Sequence, residues 1–244
     1  MTDLEIAVQD AAGVRIALDG GASRVELCTA LRTGGLTPSM GTVQLAVEAA
    51  AGVPGFVHVL VRNRGGGYVY SDEDVRTMCA DIGALRGTGV GGVVVGALTA
   101  DGRIDLAALA RFTAAAGGLP VTFHRALDAA VDPLAELARL AGTGVCRVLT
   151  SGAAVRSIEG LDTLAAMVRQ APEGVQVMAG GGVRLQDIAA LAAAGVDAVH
   201  LSARTTFLDL FPAGPGGGAQ ELDATDPALV AGARAALGES IPAR

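Results

Sequence analysis

Eight repeats of a strand-like run followed by a helix-like run constrain the fold of this 244-residue chain more than any other feature. Short runs rich in β-branched and apolar residues predict strands, and the Ala/Leu-rich segments between them have helical periodicity. Because strands alternate with helices, we expect βαβ crossovers and a parallel sheet. The predicted strands are Leu4–Val8, Arg24–Cys28, Gly55–Arg62, Gly91–Leu98, Pro120–Leu127, Cys146–Gly152, Val175–Gly182 and Ala198–Arg204.

Eight such units predict a closed (β/α)₈ barrel, the TIM-barrel architecture, as a single compact α/β domain over residues 1–244. The rival fold is an open, doubly wound sheet. The even spacing of the units, the glycines at several strand ends and the absence of a GxGxxG motif after the first strand favour the closed barrel. Residues 205–224 are rich in Pro and Gly and predict a loop, and 225–238 predicts a closing helix.

Composition narrows the classes of partner. The formal net charge of −7 and the lack of any Lys/Arg run argue against a nucleic-acid-binding protein. No apolar stretch reaches the roughly 18 residues that a membrane span requires, and the first residues do not resemble a signal peptide. We therefore expect a cytoplasmic protein with neither nucleic acid nor membrane as a partner. The three widely spaced cysteines predict no disulfide framework.

Polar residues concentrate where the predicted strands end, which is the functional face of a (β/α)₈ barrel. Residues of one parity on a strand point into the barrel, and most of these polar residues share that parity. Arg125 has the opposite parity, so its direction stays open. Arg24 and Arg147 are at strand beginnings. These lie at the opposite face of the barrel, where we expect their charges to be in water. The strand-end set is Glu26, Cys28, Arg62, Arg64, His124, Arg125, Asp128, Thr150, Ser151, Gly180–Gly182, His200, Ser202 and Arg204.

Two histidines and two carboxylates are candidates for proton transfer. His124 and Asp128 predict a general acid/base oriented by a carboxylate, and the alternative is a structural ion pair that closes the barrel mouth. His200 and Glu26 are the further candidates. His58 lies in the middle of a strand and is interpreted as a core histidine. Since the chain contains no Lys, a Schiff-base aldolase mechanism is excluded.

Three arginines could clamp an anion. Arg62, Arg64 and Arg204 carry guanidinium groups whose forked donors match carboxylate and phosphate. The alternative is that these arginines neutralise Glu26 and Asp128. Three arginines against two carboxylates leave one positive charge without a partner, which favours anion binding.

Glycines after the seventh strand suit a phosphate site. The loops after strands seven and eight of such barrels offer backbone N–H groups to phosphate, and here they contain Gly181, Gly182 and Ser202. A tight turn that requires positive φ is the alternative reason for the glycines. Arg125 and Ser151 complete the predicted ligand-binding set.

Cys28 is the one cysteine near the predicted functional face. It is a candidate soft-metal ligand or nucleophile, and the alternative is a small buried hydrophobic residue. Cys79 lies on a predicted helix and Cys146 begins a strand, so neither approaches the site.

Several long segments resemble the CutC family of copper homeostasis proteins. They include "GGASRVELCTALRTGGLTPSMG", "VRNRGGGYVYSDED", "LPVTFHRALD" and "HLSAR", and the resemblance runs from about Leu4 to Arg204. It implies a (β/α)₈ barrel, a cytoplasmic homodimer or higher homo-oligomer, and Cu(I) binding with Cys28 as a ligand. The family's first-strand Cys is replaced here by Ala7. Because Cu(I) prefers two or more soft ligands, Cys28 would need help from His, Met or a second chain.

Two functions therefore stand as hypotheses. The first, implied by the resemblance, is a copper homeostasis protein that binds copper through Cys28. The second is an enzyme that acts on a small anionic or phosphorylated metabolite by acid/base chemistry at the barrel mouth. The polar mouth that the resemblance implies comprises Glu26, Arg62, Arg64, His124, Arg125, Asp128, Ser151, His200, Ser202 and Arg204.

Overall fold

The computed structural model describes residues 2–50, 52–211, 214–215 and 221–238, and its centre is a closed barrel of eight parallel strands in the order β1 to β8. Closure is direct, because Glu5 of β1 is in register with Arg24 of β2 on one side and with His200 of β8 on the other. The predicted barrel is confirmed and the open sheet is excluded. The strands are β1 Asp3–Val8, β2 Arg24–Leu27, β3 Val57–Leu60, β4 Gly92–Val95, β5 Val121–Phe123, β6 Val145–Thr150, β7 Gln176–Gly180 and β8 Ala198–Leu201.

Helices follow the strands and surround the barrel. Side-chain caps begin several of them; Ser71, for example, accepts from the backbone N–H of Asp74, whose side chain accepts in return from Ser71. None of the helices in the described part of the chain is long and apolar enough to cross a bilayer. The α-helices are α1 Ala11–Asp19, α2 Met40–Ala49, α3 Asp72–Leu85, α4 Leu106–Ala116, α5 Pro133–Ala138, α6 Leu161–Gln170, α7 Ile188–Ala193 and α8 Pro227–Ala236, and short 3₁₀ segments cover Leu31–Thr33, Arg125–Ala129, Ser157–Gly160 and Leu185–Asp187.

Alternate side chains along each strand point to two different regions, the layer between the strands and the helices and the inside of the barrel. The outward-facing side chains, such as Leu4, Val25 and Phe123, pack against the helices and form the main hydrophobic core. The inward-facing side chains include two small apolar clusters and several polar groups. The apolar clusters are Cys28 with Leu60 and Val94, and Leu149 with Met178 and Ala198.

The N-terminal end of the barrel is more polar than the sequence predicts. Arg24 does not lie in water but is buried, and it donates from Nε to Glu5 Oε2 at 2.5 Å and from Nη1 to Asp3 Oδ2 at 3.0 Å. Arg147 also turns inward, and its Nη2 donates to Gln176 Oε1 at 2.8 Å. Both guanidiniums find partners inside the barrel, so solvent is not required to satisfy them.

The segment predicted as a loop over 205–224 contains regular structure. Strands β9 (Arg204–Leu208) and β10 (Glu221–Thr225) form a two-stranded antiparallel sheet beside the barrel, so the loop prediction is corrected there. Residues 212–213 and 216–220 of that segment lie outside the described residues. The predicted closing helix corresponds to α8.

Asp223 joins this small sheet to the barrel rim. Arg32, in the segment after β2, donates to both Asp223 oxygens, at 2.8 and 3.0 Å, and also contacts Glu221. Arg204 forms a short ion pair with the same aspartate. The sheet is therefore held over one side of the barrel mouth by charge.

Two glycines with helical-type backbone predict opposite effects of the same substitution. A Cβ at Gly20, the C-cap of α1, would lie 2.4 Å from Cγ1 of the buried Val230 in α8, whereas a Cβ at the exposed Gly83 of α3 has nothing within 4 Å. We expect Gly20→Ala to lower the free energy of unfolding by about 1–3 kcal/mol through overpacking. Gly83→Ala should raise it by about 1 kcal/mol, since Ala is the better helix former. Urea unfolding of both variants checks this, and equal effects of the two substitutions would contradict it.

Candidate functional site

A cavity of about 720 Å³ opens at the carboxyl ends of the barrel strands. This is the face on which we expect function in a (β/α)₈ barrel. Arg64, Ser151 and Cys28 do not line it, although the sequence places them in the site. The predicted site residues that do line it are Glu26, Arg62, His124, Arg125, Asp128, Gly181, Gly182, His200, Ser202 and Arg204.

Glu5 contacts the candidate site residue His200, and the sequence does not place it in the site. It is 1% exposed, and its Oε1 accepts from His200 Nδ1 at 2.8 Å while Oε2 accepts from Arg24. Burial raises the pKa of Glu5, but the hydrogen bond from His200 and the charge of Arg24 outweigh it, so the net pKa is well below the ordinary value. The inward parity of Glu5 and its register with His200 are the signals that could have found it.

His200 is held by this buried carboxylate. Burial alone would lower the pKa of His200, yet the hydrogen bond to Glu5 and the charge of Glu26 raise it above its ordinary value. Because Nδ1 is engaged by Glu5, Nε2 is the nitrogen turned towards Glu26, with 3.7 Å between His200 Nε2 and Glu26 Oε2. The arrangement orients one imidazole nitrogen towards the cavity.

Glu26 is a buried carboxyl at the cavity whose pKa is raised. Its side chain lines the cavity, is buried, and has no hydrogen bond within the described residues; its nearest ionic neighbour is His200. Burial, with a smaller contribution from the charge of Glu5, raises the pKa of Glu26 to about 7, against the opposing effect of His200. A carboxyl group with this pKa can both accept and release a proton near neutral pH.

His124 lies on another wall of the cavity. Its Nδ1 accepts the backbone N–H of Ala126 at 3.1 Å, so the neutral ring carries its proton on Nε2. Burial lowers the pKa of His124 to about 3, and the positive charge of Arg62 adds to this effect. Nε2 is buried and has no hydrogen-bond partner within the described part of the chain. His124 is therefore a neutral donor at neutral pH.

The predicted pairing of His124 with Asp128 is wrong. Asp128 instead accepts from Arg125 Nε at 2.8 Å, from Thr150 Oγ1 at 2.5 Å and from the Ser151 N–H at 3.0 Å. After β5 the chain turns into a 3₁₀ segment that carries Asp128 to the loop following β6. Asp128 therefore forms its ion pair with Arg125 and not with His124, as both the predicted acid/base pair and its structural alternative required. It also fixes the direction of Arg125, whose guanidinium lies at the cavity.

Of the three arginines predicted to clamp an anion, one has no acidic partner. Arg62 is buried and donates to the carbonyl oxygens of Gly35 at 3.1 Å and Gly66 at 2.5 Å, and it forms no salt bridge with the described residues. Arg64 follows the end of β3, so strand parity does not apply to it, and it pairs with Asp74 at 3.2 Å away from the cavity. Arg204 is paired with Asp223. Among the arginines that line the cavity, Arg62 is therefore the one whose positive charge is not matched by a carboxylate of the described residues.

The loops after β7 and β8 present unused backbone donors. The N–H groups of Gly181, Gly182 and Ser202 have no hydrogen-bond partner among the described residues, and all three residues line the cavity. Gly181 has φ +122° and Gly182 has φ +58°, in the region that favours glycine. Successive free N–H groups of this kind form a concave site for an anion.

Cys28, the predicted copper ligand, lies in an apolar cluster inside the barrel. It is 0% exposed, packs with Leu60 and Val94, and its Sγ lies 3.8 Å from the carbonyl oxygen of Val8. Burial, followed by the charge of Glu26, raises the pKa of the thiol, which disfavours the thiolate that binds metals. Among the residues that the structure describes, no group of three or more His, Cys, Asp or Glu side chains is arranged to hold a metal ion.

The closed barrel and the polar cavity at its C-terminal face define a (β/α)₈-barrel protein with a small-molecule-sized site. The CutC family model matches residues 2–205, and the chain belongs to the CutC family. A family protein CutC from Mesorhizobium japonicum is 48% identical over 186 residues, which cover 76% of this chain and 71% of that protein. A family protein CutC from Photobacterium profundum is 40% identical over 204 residues, covering 83% of this chain and 82% of that one.

Solved structures agree with this fold. The crystal structure of a CutC from Streptococcus agalactiae, provisionally assigned to copper homeostasis, superposes with a TM-score of 0.76 at 31% identity and covers 83% of this chain and 99% of that chain. The thiamine phosphate pyrophosphorylase of Pyrococcus furiosus superposes with a TM-score of 0.60 at 14% identity, covering 97% of this chain and 95% of that one. At 14% identity, the similarity to the pyrophosphorylase supports the barrel fold alone.

The raised pKa of Glu26 predicts a pH-dependent stability. The folded protein holds this proton up to pH about 7, whereas an ordinary glutamate releases it near 4.5. The stabilising contribution of the proton is therefore present below pH 4.5 and is lost as the pH rises through 7. In Glu26→Gln this loss is absent, so the free energy of unfolding of the variant relative to wild type should rise by about 3 kcal/mol between pH 4.5 and 8.

Urea unfolding at several pH values measures this difference. Glu173→Gln, at an exposed loop position, is the control for removal of one carboxylate. A difference between Glu26→Gln and wild type that stays constant with pH would contradict the assignment.

Proposed function

We propose that the cavity binds a small anionic metabolite, carboxylated or phosphorylated, and that Glu26 and His200 transfer a proton on it. The observation that carries the proposal is the position of Glu26: its carboxyl is buried, lines the cavity and has no hydrogen-bond partner within the described residues, and this burial raises its pKa to about 7. Leaving such a group unpaired is unfavourable for folding alone, so its environment favours a role with a ligand.

Charge and backbone geometry support an anion as the ligand. Arg62 contributes a buried positive charge without an acidic partner in the described part of the chain, and Gly181, Gly182 and Ser202 contribute free N–H donors. A ligand whose anionic group lies at the backbone donors after β7 and β8, and which extends across the cavity to Arg62, would satisfy both sets. Arg125 and Arg204, whose charges are matched by Asp128 and Asp223, add guanidinium donors at the rim.

The proton moves between Glu26 and the bound molecule. His200 faces the same carboxyl from 3.7 Å and is fixed in orientation by Glu5, so it supplies a proton or a compensating charge as Glu26 changes state. The buried carboxylate of Glu5 is a positioning group, because it does not line the cavity. The same proposal includes a cytoplasmic location for the protein and its assembly into a homo-oligomer.

Copper homeostasis is the second candidate function, and membership of the CutC family supports it. Copper would be a cargo ion with Cys28 as its ligand. The residues around Cys28 fit this ion poorly, because the thiol is completely buried among apolar side chains and Ala7 offers no second thiol. A partner chain would have to displace Leu60 and Val94 to add a soft ligand.

Ligand-induced thermal stabilisation tests the anion site. A panel of sugar phosphates, dicarboxylates and inorganic phosphate, with uncharged sugars as controls, is added to wild type, Arg62→Gln and Arg64→Gln. We expect an anionic member to raise the Tm of wild type by about 5 to 10 °C at about 100 times its Kd. The rise should be lost in Arg62→Gln and kept in Arg64→Gln, since both arginines donate to loop carbonyls but only Arg62 lines the cavity. No stabilisation of wild type by any anion would refute the proposal.

Competition with a Cu(I) chelator tests the copper function. We expect the reduced wild-type protein and Cys28→Ser to compete equally and no more tightly than about micromolar, because one buried thiol is an inadequate Cu(I) site. Cys79→Ser, on a helix outside the site, is the control. Tighter binding that disappears only in Cys28→Ser would establish the copper function instead.

A further inference from the structure

His124 and Arg62 both line the cavity, and the Tyr68 ring contacts both of them. We infer that these two residues form an oxyanion site, and that the substrate is an anionic compound with a carbonyl group next to a C–H bond, which the protein converts to its enolate. The inference rests on the proposed function and names the class of substrate and reaction for the same cavity.

The first support is a buried donor without a partner. His124 lines the cavity and is 5% exposed, and the Ala126 N–H donated to Nδ1 leaves the ring proton on Nε2. Nε2 has no hydrogen-bond partner among the described residues. Buried donors are nearly always satisfied in folded proteins, so an unpaired one at a cavity indicates a ligand acceptor.

The second support is the neutral state of the ring. Burial and the adjacent charge of Arg62 keep the pKa of His124 near 3, so at neutral pH it donates a hydrogen bond without carrying a charge. A neutral imidazole is a weak acid, and its hydrogen bond strengthens most when the carbonyl oxygen gains negative charge. Arg62 adds the compensating positive charge next to it.

The third support is that the ring is fixed before any ligand binds. A Cβ at Gly96, next after β4, would lie 2.4 Å from the His124 ring, so only glycine leaves room for the imidazole there. The Tyr68 ring lies 5.0 Å from the His124 ring and 5.3 Å from Arg62 Cζ, measured to ring centroids, and so contacts both. Donors fixed in advance stabilise developing charge most effectively.

The fourth support is the position of the proton acceptor across the barrel. His124 follows β5, which is four strands from β1 in the closed order, and the two neighbours of β1 are β8 with His200 and β2 with Glu26. His124 therefore lies across the cavity from Glu26 and His200, whereas Arg62, which follows β3, lies beside the strand of Glu26. A carbonyl compound between His124 and Glu26 presents its oxygen to the first and its adjacent C–H bond to the second.

The step balances without a further reactant. The C–H bond breaks and its proton passes to the Glu26 carboxylate, while the bonding pair forms the C=C bond of the enolate. The carbonyl π pair moves onto oxygen, where His124 Nε2–H and Arg62 stabilise it. Return of a proton from Glu26 to carbon restores the carbonyl compound, with solvent hydrogen incorporated at that carbon.

Binding of two anions tests the inference separately from the proposed function. Inorganic phosphate reports the anion site, and phosphoglycolohydroxamate combines a phosphate with a mimic of an enolate. Their Kd values are measured by calorimetry in wild type, His124→Phe and His58→Phe, the last a control at a buried barrel histidine that does not line the cavity. We expect His124→Phe to weaken the hydroxamate about 10-fold or more with unchanged phosphate binding, since one hydrogen bond to a charged oxygen is lost. His58→Phe should change neither.

Exchange in D₂O gives the second readout. Wild type should incorporate deuterium at the carbon next to the carbonyl of dihydroxyacetone phosphate, followed by proton NMR, and both His124→Phe and Glu26→Gln should slow this exchange at least about 10-fold. Gly96→Ala, which displaces the ring without removing it, should reproduce the loss if His124→Phe folds poorly. Equal loss of hydroxamate and phosphate binding, or no change of either in His124→Phe, overturns the oxyanion site and leaves anion binding standing. Failure of wild type to bind either anion overturns the proposed function as well.

Discussion

The buried ionic chain from Arg24 through Glu5 to His200 is the interaction on which the site depends. A carboxylate in the middle of a barrel would cost several kcal/mol if it were unpaired, and Glu5 is stable there because it accepts from both neighbours, at 2.5 and 2.8 Å. The chain fixes which nitrogen of His200 faces the cavity. Burial is the main cause of the raised pKa of Glu26; the charge of Glu5 adds to it and the charge of His200 opposes it, so both members of the pair act on Glu26.

Two histidines at one cavity are driven to opposite protonation states by their neighbours. His200 faces two carboxylates and its pKa is raised, whereas His124 is buried beside Arg62 and its pKa falls to about 3. Environments that separate the pKa values of similar groups assign them different roles. In the proposed function this separation gives one acid/base wall and one neutral donor wall, and the barrel holds the two histidines apart because β5 and β8 are three strands from each other.

Much of the fold could be predicted from the sequence, because alternation of strands and helices dictates the barrel and polar strand ends dictate its mouth. The pairings were harder to predict. Asp128 is near His124 in sequence, but the 3₁₀ segment after β5 directs its carboxylate to Ser151 and Arg125. Glu5 lies within its strand instead of at its end, so only the register between β1 and β8 reveals its contact with His200. Side-chain direction beyond a strand end, as at Arg64, has no periodicity to guide it.

The distribution of ion pairs limits the charge of the ligand. Asp74, Asp128 and Asp223 take up the charges of Arg64, Arg125 and Arg204, so these arginines can donate hydrogen bonds but add little net attraction. Arg62 remains, together with neutral backbone donors and the carboxyl of Glu26, whose pKa burial raises to about 7. A cavity with this balance favours one anionic group near Gly181 and Gly182 and an uncharged, polarisable group between Glu26 and His124. A second fully charged acid at that position would meet the Glu26 carboxylate, so a carbonyl oxygen, which gains its charge only during reaction, is the better match.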